Sequence, residues 1–169
     1  MIFYLENKVE AENKEEAGSS AEAYKRYWTD TLEVLHSKNG VKFFCGVTPP
    51  KGAKQWIGWT PVNGMGITIR CVANQDLARV EFYIGSSDKD HNKKIYDYLY
   101  SKKEEIEKQL EKALIWYRGN DNKASKICVE NRDLGIVNEN DWDKMTKYHA
   151  QWSKKFYDVF VPYVNKYME

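Results

Sequence analysis

Cysteine is scarce in this chain: Cys45, Cys71 and Cys128 are the only three in 169 residues, far apart and without a CxxC. That spacing argues against a disulfide framework or a thiolate metal site and makes buried reduced thiols the expected role, with Cys71 and Cys128 in strand-like segments. Histidine is equally thin. His36, His91 and His149 belong to no HExxH and to no Cys/His ligand spacing, so no metal site is expected. GxGxxG and Walker-A loops are missing too; Gly64-Met65-Gly66 lacks the third glycine and leads into a strand rather than a helix. With no GxSxG elbow and no carboxylate pair that stands out, the sequence predicts no cofactor and no catalytic residue, and it does not read as an enzyme. No segment approaches the roughly 18 consecutive apolar residues of a membrane span, and the N-terminus lacks the basic start and apolar run of a signal peptide. The expectation is a cytoplasmic protein without membrane contact.

A strong charge of one sign is also absent. The formal net charge is +1, which exerts no global pull on nucleic acid. It hides an asymmetry, because residues 1–22 hold two Lys against six Glu, net −4, leaving +5 for residues 23–169. A mildly basic body permits nucleic-acid contact. Aromatic residues, at 14%, are well supplied, while 30% charged residues and a mean hydropathy of −0.73 describe a heavily solvated surface.

The most informative stretch runs from Gly66 to Gly85. Ile67, Ile69, Cys71 and Ala73 alternate with Thr68, Arg70 and Val72, and after Asn74-Gln75-Asp76 the residues Ala78, Val80, Phe82 and Ile84 alternate with Arg79, Glu81 and Tyr83. Period two, twice over, predicts a β-hairpin. Placing Ala73 opposite Ala78 pairs Cys71 with Val80, Ile69 with Phe82 and Ile67 with Ile84, so the apolar set falls on one face. The other face pairs Arg70 with Glu81.

Around that hairpin the chain supplies elements to cover the apolar face. Residues 1–18 form an acidic lead-in, mobile or an edge strand over Ile2–Leu5; residues 19–169 read as a single α+β domain. Ser19-Ser20-Ala21-Glu22 has capping-box spacing and predicts a helix start, with Tyr24, Tyr27, Trp28, Thr31, Leu32 and Leu35 as its buried stripe and Asn39-Gly40 as its stop. Phe43–Val47 reads as a short strand. Gln55–Trp59 reads as another, near an edge because of Gly58 and Pro61. A long helix capped by Ser86 or Ser87 buries Ile95, Leu99, Ile106 and Leu110, with a solvated charged face opposite. Leu114–Tyr117 and Ser125–Glu130 form a second hairpin about Gly119–Asn122. Caps at Asn138–Asp141 open a last helix with an aromatic stripe from Trp142 to Tyr167, bent or interrupted near Val161 by Pro162. The predicted fold is α+β: a mainly antiparallel sheet of about five or six strands with three helices packed on one face.

Two features bear on function. Glu6-Asn7-Lys8 after an apolar run is half of the metal-dependent nuclease arrangement, which also needs an acid from an earlier strand; only five residues precede Glu6. The outer face of the hairpin is the better candidate. Arg70, Arg79 and Tyr83 project there, and Tyr117, Arg118 and Lys126 extend the patch if the second hairpin joins the same sheet. Guanidinium groups and aromatic rings on a sheet contact phosphates and stack on bases. The bland alternative is a solvated face with an Arg70–Glu81 cross-strand pair.

The landmarks Tyr27-Trp28, Trp56, Val80–Ile84, Tyr98-Leu99 with Lys102-Lys103, Leu114-Ile115-Trp116, Asp141-Trp142, Trp152, Phe156 and Phe160–Pro162 resemble a bacterial and archaeal domain of unknown function. That domain is often found C-terminal to a half similar to restriction-endonuclease-like nucleases, and the similarity covers about residues 23–167. The resemblance implies a role linked to DNA processing or defence, by association; the nuclease half is absent, so its catalytic residues have no positions here. The expected function is a non-enzymatic binding or accessory domain that contacts nucleic acid or a nuclease partner protein. The alternatives are a metal-dependent nuclease-related protein using Glu6 and Lys8, or a homo-oligomeric (homodimeric) scaffold in which the aromatic last helix buries against another copy.

Overall fold

The computed structural model describes residues 2–39 and 42–169, and side-chain surroundings from Ser20 onward. The elements are α1 (Ile2–Asn39), β1 (Trp56–Trp59), β2 (Ile67–Asn74), β3 (Leu77–Ile84), α2 (Lys89–Ser101), α3 (Lys103–Leu110), β4 (Ile115–Tyr117), β5 (Ser125–Asn131) and α4 (Trp142–Met168), with a 3-10 turn at Glu139–Asp141 before the last helix. They build one five-stranded antiparallel sheet in the order β1-β2-β3-β5-β4.

The β2–β3 register is the one the alternation dictates: Ala73 faces Ala78, Cys71 faces Val80, Ile69 faces Phe82 and Ile67 faces Ile84. All eight are buried. On this inner face α4 covers the sheet, with the Phe160 ring stacked on Phe82 at 4.6 Å between centroids. The α4 stripe of Trp142, Met145, His149, Trp152, Phe156 and Phe160 is buried within the chain's own core. Helix α1 packs on α4 through Tyr24, Tyr27, Trp28, Leu32 and Leu35, all buried as their three- and four-residue spacing requires. The second hairpin joins the same sheet, since β5 pairs with β3 and β4 pairs with β5.

Several expectations are corrected. Helix α1 begins at Ile2, so Ile2–Leu5 lie in a helix rather than an edge strand, and Ser19-Ser20 falls inside it rather than at its start. Residues 42–46 form a turn, not a strand, with Phe44 at φ 57 and Gly46 at φ 77, both left-handed. An apolar run without alternation cannot distinguish a strand from a buried plug. Here Phe43 and Phe44 plug the core beside Trp59, at 5.1 and 5.7 Å between ring centroids.

The long middle helix is two, broken at Lys102 (φ −103, ψ 9), and Leu99 and Ile106 stay buried on either side of the break. Its cap is Asp88, whose carboxylate accepts the His91 N–H; the Ser86 hydroxyl is occupied by Asn92 Oδ1 at 2.7 Å. Four helices rather than three result. Helix α4 runs through Pro162 without ending, because Pro162 and Asp158 both face solvent, where water can serve the carbonyl that loses its partner. Cys71 and Cys128 are buried, but Cys45 is exposed.

Candidate functional site

Pairing register decides which side chains share the outer face. Trp56 faces Val72 and Gly58 faces Arg70 across β1–β2; Arg70 faces Glu81 and Thr68 faces Tyr83 across β2–β3. Glu81 faces Cys128 and Tyr83 faces Lys126 across β3–β5, and Tyr117 faces Lys126 across β4–β5. Because side chains alternate faces, Trp56, Arg70, Tyr83, Lys126 and Tyr117 stand together, one from each strand.

The cations on this face fall into two kinds. Arg79 is consumed structurally: its Nη1 lies 3.2 Å from Glu81 Oε1 and its Nε 3.2 Å from Glu130 Oε2. Glu81, only 5% exposed, also takes Lys126 at 3.4 Å. The expected Arg70–Glu81 ion pair is not made, although the two residues are partners in register. Arg70 instead lies between rings, its guanidinium carbon 4.1 Å from the Trp56 centroid and 3.5 Å from that of Tyr83. Among the described residues it has no carboxylate partner, and its Nε is buried without a hydrogen bond.

Gly58 lies between the neighbouring side chains, and a Cβ there would sit 2.7 Å from the Thr68 methyl and 3.2 Å from Trp56 Cζ3. Lys54 adds a second cation over Trp56 at 4.1 Å, and the Lys126 ammonium lies 5.8 Å from the Tyr117 centroid. The outcome is an alternating row, Lys54, Trp56, Arg70, Tyr83, Lys126, Tyr117, crossing all five strands over roughly 19 Å.

Where this row reaches β5 and β4 the surface dips into an open cleft of about 370 Å³, lined by Tyr83, Ser86, Tyr117, Lys123, Ser125 and Lys126 among others. None of its lining residues is an acid. Gly85 sits at its edge, and a Cβ there would meet the Tyr83 ring at 2.2 Å, so any side chain would displace that ring.

The cleft stands on two buried polar residues. Asn92, fully buried, takes the Ser86 N–H and hydroxyl on Oδ1 and donates from Nδ2 to the Ser86 and Lys123 carbonyls. Lys93, 6% exposed, spends all three ammonium protons on Arg118 O (2.6 Å), Ala124 O (2.9 Å) and Ser125 Oγ (2.9 Å). Burial, with Lys89 and Arg118 nearby, lowers its pKa below the ordinary lysine value. Lys93→Met leaves those acceptors short of a donor, and a loss of about 2 kcal/mol in denaturant unfolding is expected. Faster amide exchange over residues 122–125 should accompany it.

Of the six sequence-predicted residues, the structure brings Arg70, Tyr83, Tyr117 and Lys126 together in one row and withdraws two from it. Arg118 turns away to α2, where Asp97 takes its Nε at 2.8 Å, and its guanidinium holds the Asp97 carboxyl below the usual range. Arg79 is on the face but neutralised. Trp56, Lys54, Lys123 and the supporting Asn92 and Lys93 were not anticipated. The signal for Trp56 was available: an edge strand pairing with β2 puts an outward tryptophan beside an outward arginine. Cys128 lies on this face yet is 2% exposed, and burial beside Glu81 pushes its thiol up to about 12, which disfavours the thiolate.

Among the described residues no group of three His, Cys, Asp or Glu side chains is placed to hold a metal, and no helix is long and apolar enough to cross a membrane. Glu6 and Lys8 lie outside the residues whose side chains are described. No curated protein and no solved structure matches this chain. A family model described as a domain of unknown function, DUF4268, matches residues 23–164. That span holds every residue of the alternating row and of the cleft, and the chain belongs to the DUF4268 family.

Proposed function

We propose that the protein is a non-enzymatic binding domain that lays single-stranded nucleic acid across the outer face of its sheet, as an accessory to DNA processing or defence. The observation that carries this reading is Arg70, held between the rings of Trp56 and Tyr83, with no carboxylate among the described residues to cancel its charge. A cation fixed flat on a sheet among aromatic faces offers a phosphate its charge and a base its neighbouring rings. Lys54 and Lys126 continue the pattern to either side. The link to DNA processing rests on the resemblance to domains that follow restriction-endonuclease-like halves; the surface chemistry supports the strand, not the pathway.

The test is anisotropy of a labelled (dT)15 strand titrated with the full chain at several salt concentrations. Binding should weaken linearly on a log–log plot. Arg70→Gln with Lys54→Gln should weaken it about tenfold and flatten the slope by roughly 1.4, two phosphate contacts on a single strand. Absence of binding at low salt, or an unchanged affinity in the double variant, overturns the reading.

A further inference from the structure

We infer that the cleft between Tyr83 and Tyr117 holds one nucleotide unit, its base against Tyr117 and its phosphate at Lys123 and Lys126. This rests on the reading of the outer face as a nucleic-acid surface and assigns the cleft a part within it. Four observations converge. The cleft, about 370 Å³, is of the size that accepts a small ligand. Tyr117 is 45% exposed at its mouth, a large ring left in water at the end of a row of rings that are otherwise packed.

Charge is the third. The two ammonium groups on the lining meet no lining carboxylate; Glu81, which reaches Lys126, lies further along the sheet. Phosphate suits two lysines with no acid between them. Last, the walls are fixed from beneath. One buried amide, Asn92, ties the Ser86 wall to the Lys123 wall, and one buried ammonium, Lys93, ties the β4–β5 loop at Arg118, Ala124 and Ser125. Their polar atoms are spent on loop and turn backbone or on Ser86 and Ser125. Both hold the approach of the Gly85–Ser86 turn to the Asn122–Ser125 loop, which is the opening of the cleft.

The nucleotide has two sources, a free mononucleotide or a residue of a bound strand, and two probes separate them. The full chain is titrated with dAMP, and with labelled (dA)10 in the presence and absence of dAMP. Lys123→Ala and Tyr117→Ala should each weaken dAMP about tenfold, while Lys123→Arg and Tyr117→Phe keep most of the affinity. Both side chains are exposed, so thermal melts of the variants should match wild type. Displacement of (dA)10 by dAMP assigns the cleft to a strand-borne nucleotide. Binding of dAMP that is lost in Lys123→Ala, with no (dA)10 binding, assigns it to a free nucleotide and overturns the strand reading. Strand binding that neither variant moves and dAMP does not displace overturns the cleft assignment alone. Absence of dAMP binding overturns it as well.

Discussion

Arg79→Ala should lower the unfolding free energy by about 3 kcal/mol in denaturant, against about 1 kcal/mol for Arg70→Ala. Both are arginines on the outer sheet face, two strands' neighbours, and the sequence gives no reason to rank them. The geometry does. Arg79 bridges Glu81 and Glu130, and Glu81 is nearly sealed from water. Removing the bridging guanidinium strands buried negative charge, which costs about 3–5 kcal/mol when a buried pair is broken. Glu81 keeps Lys126 and Glu130 keeps Arg132, so the lower end applies. Arg70 has no ion pair among the described residues to lose and carries a buried Nε without a partner there, so its removal forfeits stacking worth about 1 kcal/mol and relieves an orphaned donor. Equal losses for the two variants would mean that the charge assignment on this face is wrong. The same contrast explains why Arg79→Ala is a poor probe of binding, since it damages the sheet before it reports on a ligand.

Acid should destabilise the protein through one imidazole in the core. His149 is fully buried between Val72 O, 2.9 Å from Nε2, and the Tyr27 hydroxyl, 2.6 Å from Nδ1. A carbonyl only accepts, so Nε2 carries the hydrogen and Nδ1 takes the tyrosine proton; the ring is neutral. Burial depresses its pKa to about 4, from 6.5 for a free imidazole. Between these values the unfolded chain binds a proton that the folded chain refuses. Stability from this group is therefore whole above pH 6.5 and drains away as the pH falls towards 4, by about 3 kcal/mol. His149→Gln keeps an amide that can donate to Val72 and accept from Tyr27 without titrating, so its denaturation midpoint should fall less between pH 7 and 4.5. Parallel curves for the two proteins would remove His149 as the cause.

The parts of this fold that were legible in the chain are those where a periodic pattern meets a single buried face. Strict alternation over Ile67–Ala73 and Ala78–Ile84 allows one register, because a slip by one residue would turn charged side chains such as Arg70 or Glu81 into the apolar core. The α1 and α4 stripes were legible for the same reason. What resisted was local geometry that pattern does not encode. Phe43-Phe44 has no alternation, and two left-handed residues turn it into a plug. Asn92 and Lys93 are polar residues with no apolar periodicity to mark them, yet they are buried by loop carbonyls that come from 25 to 31 residues away. Register named the neighbours of Glu81 correctly but not its partner. Arg79, two residues along the same strand, reaches the carboxylate, while Arg70 lies between the Trp56 and Tyr83 rings instead. Half of the candidate site was thus visible as outward residues. The cleft was not, because it depends on a loop closing against a turn.

The most direct measurement is a chemical-shift map of the full chain on adding (dT)10 at low salt. Strand contact with the sheet predicts that the largest changes fall on the Trp56 indole and on Arg70, Tyr83, Lys126 and Tyr117, and fade as salt rises. Changes concentrated on the exposed α4 lysines Lys144 and Lys147, or none at all, would contradict it.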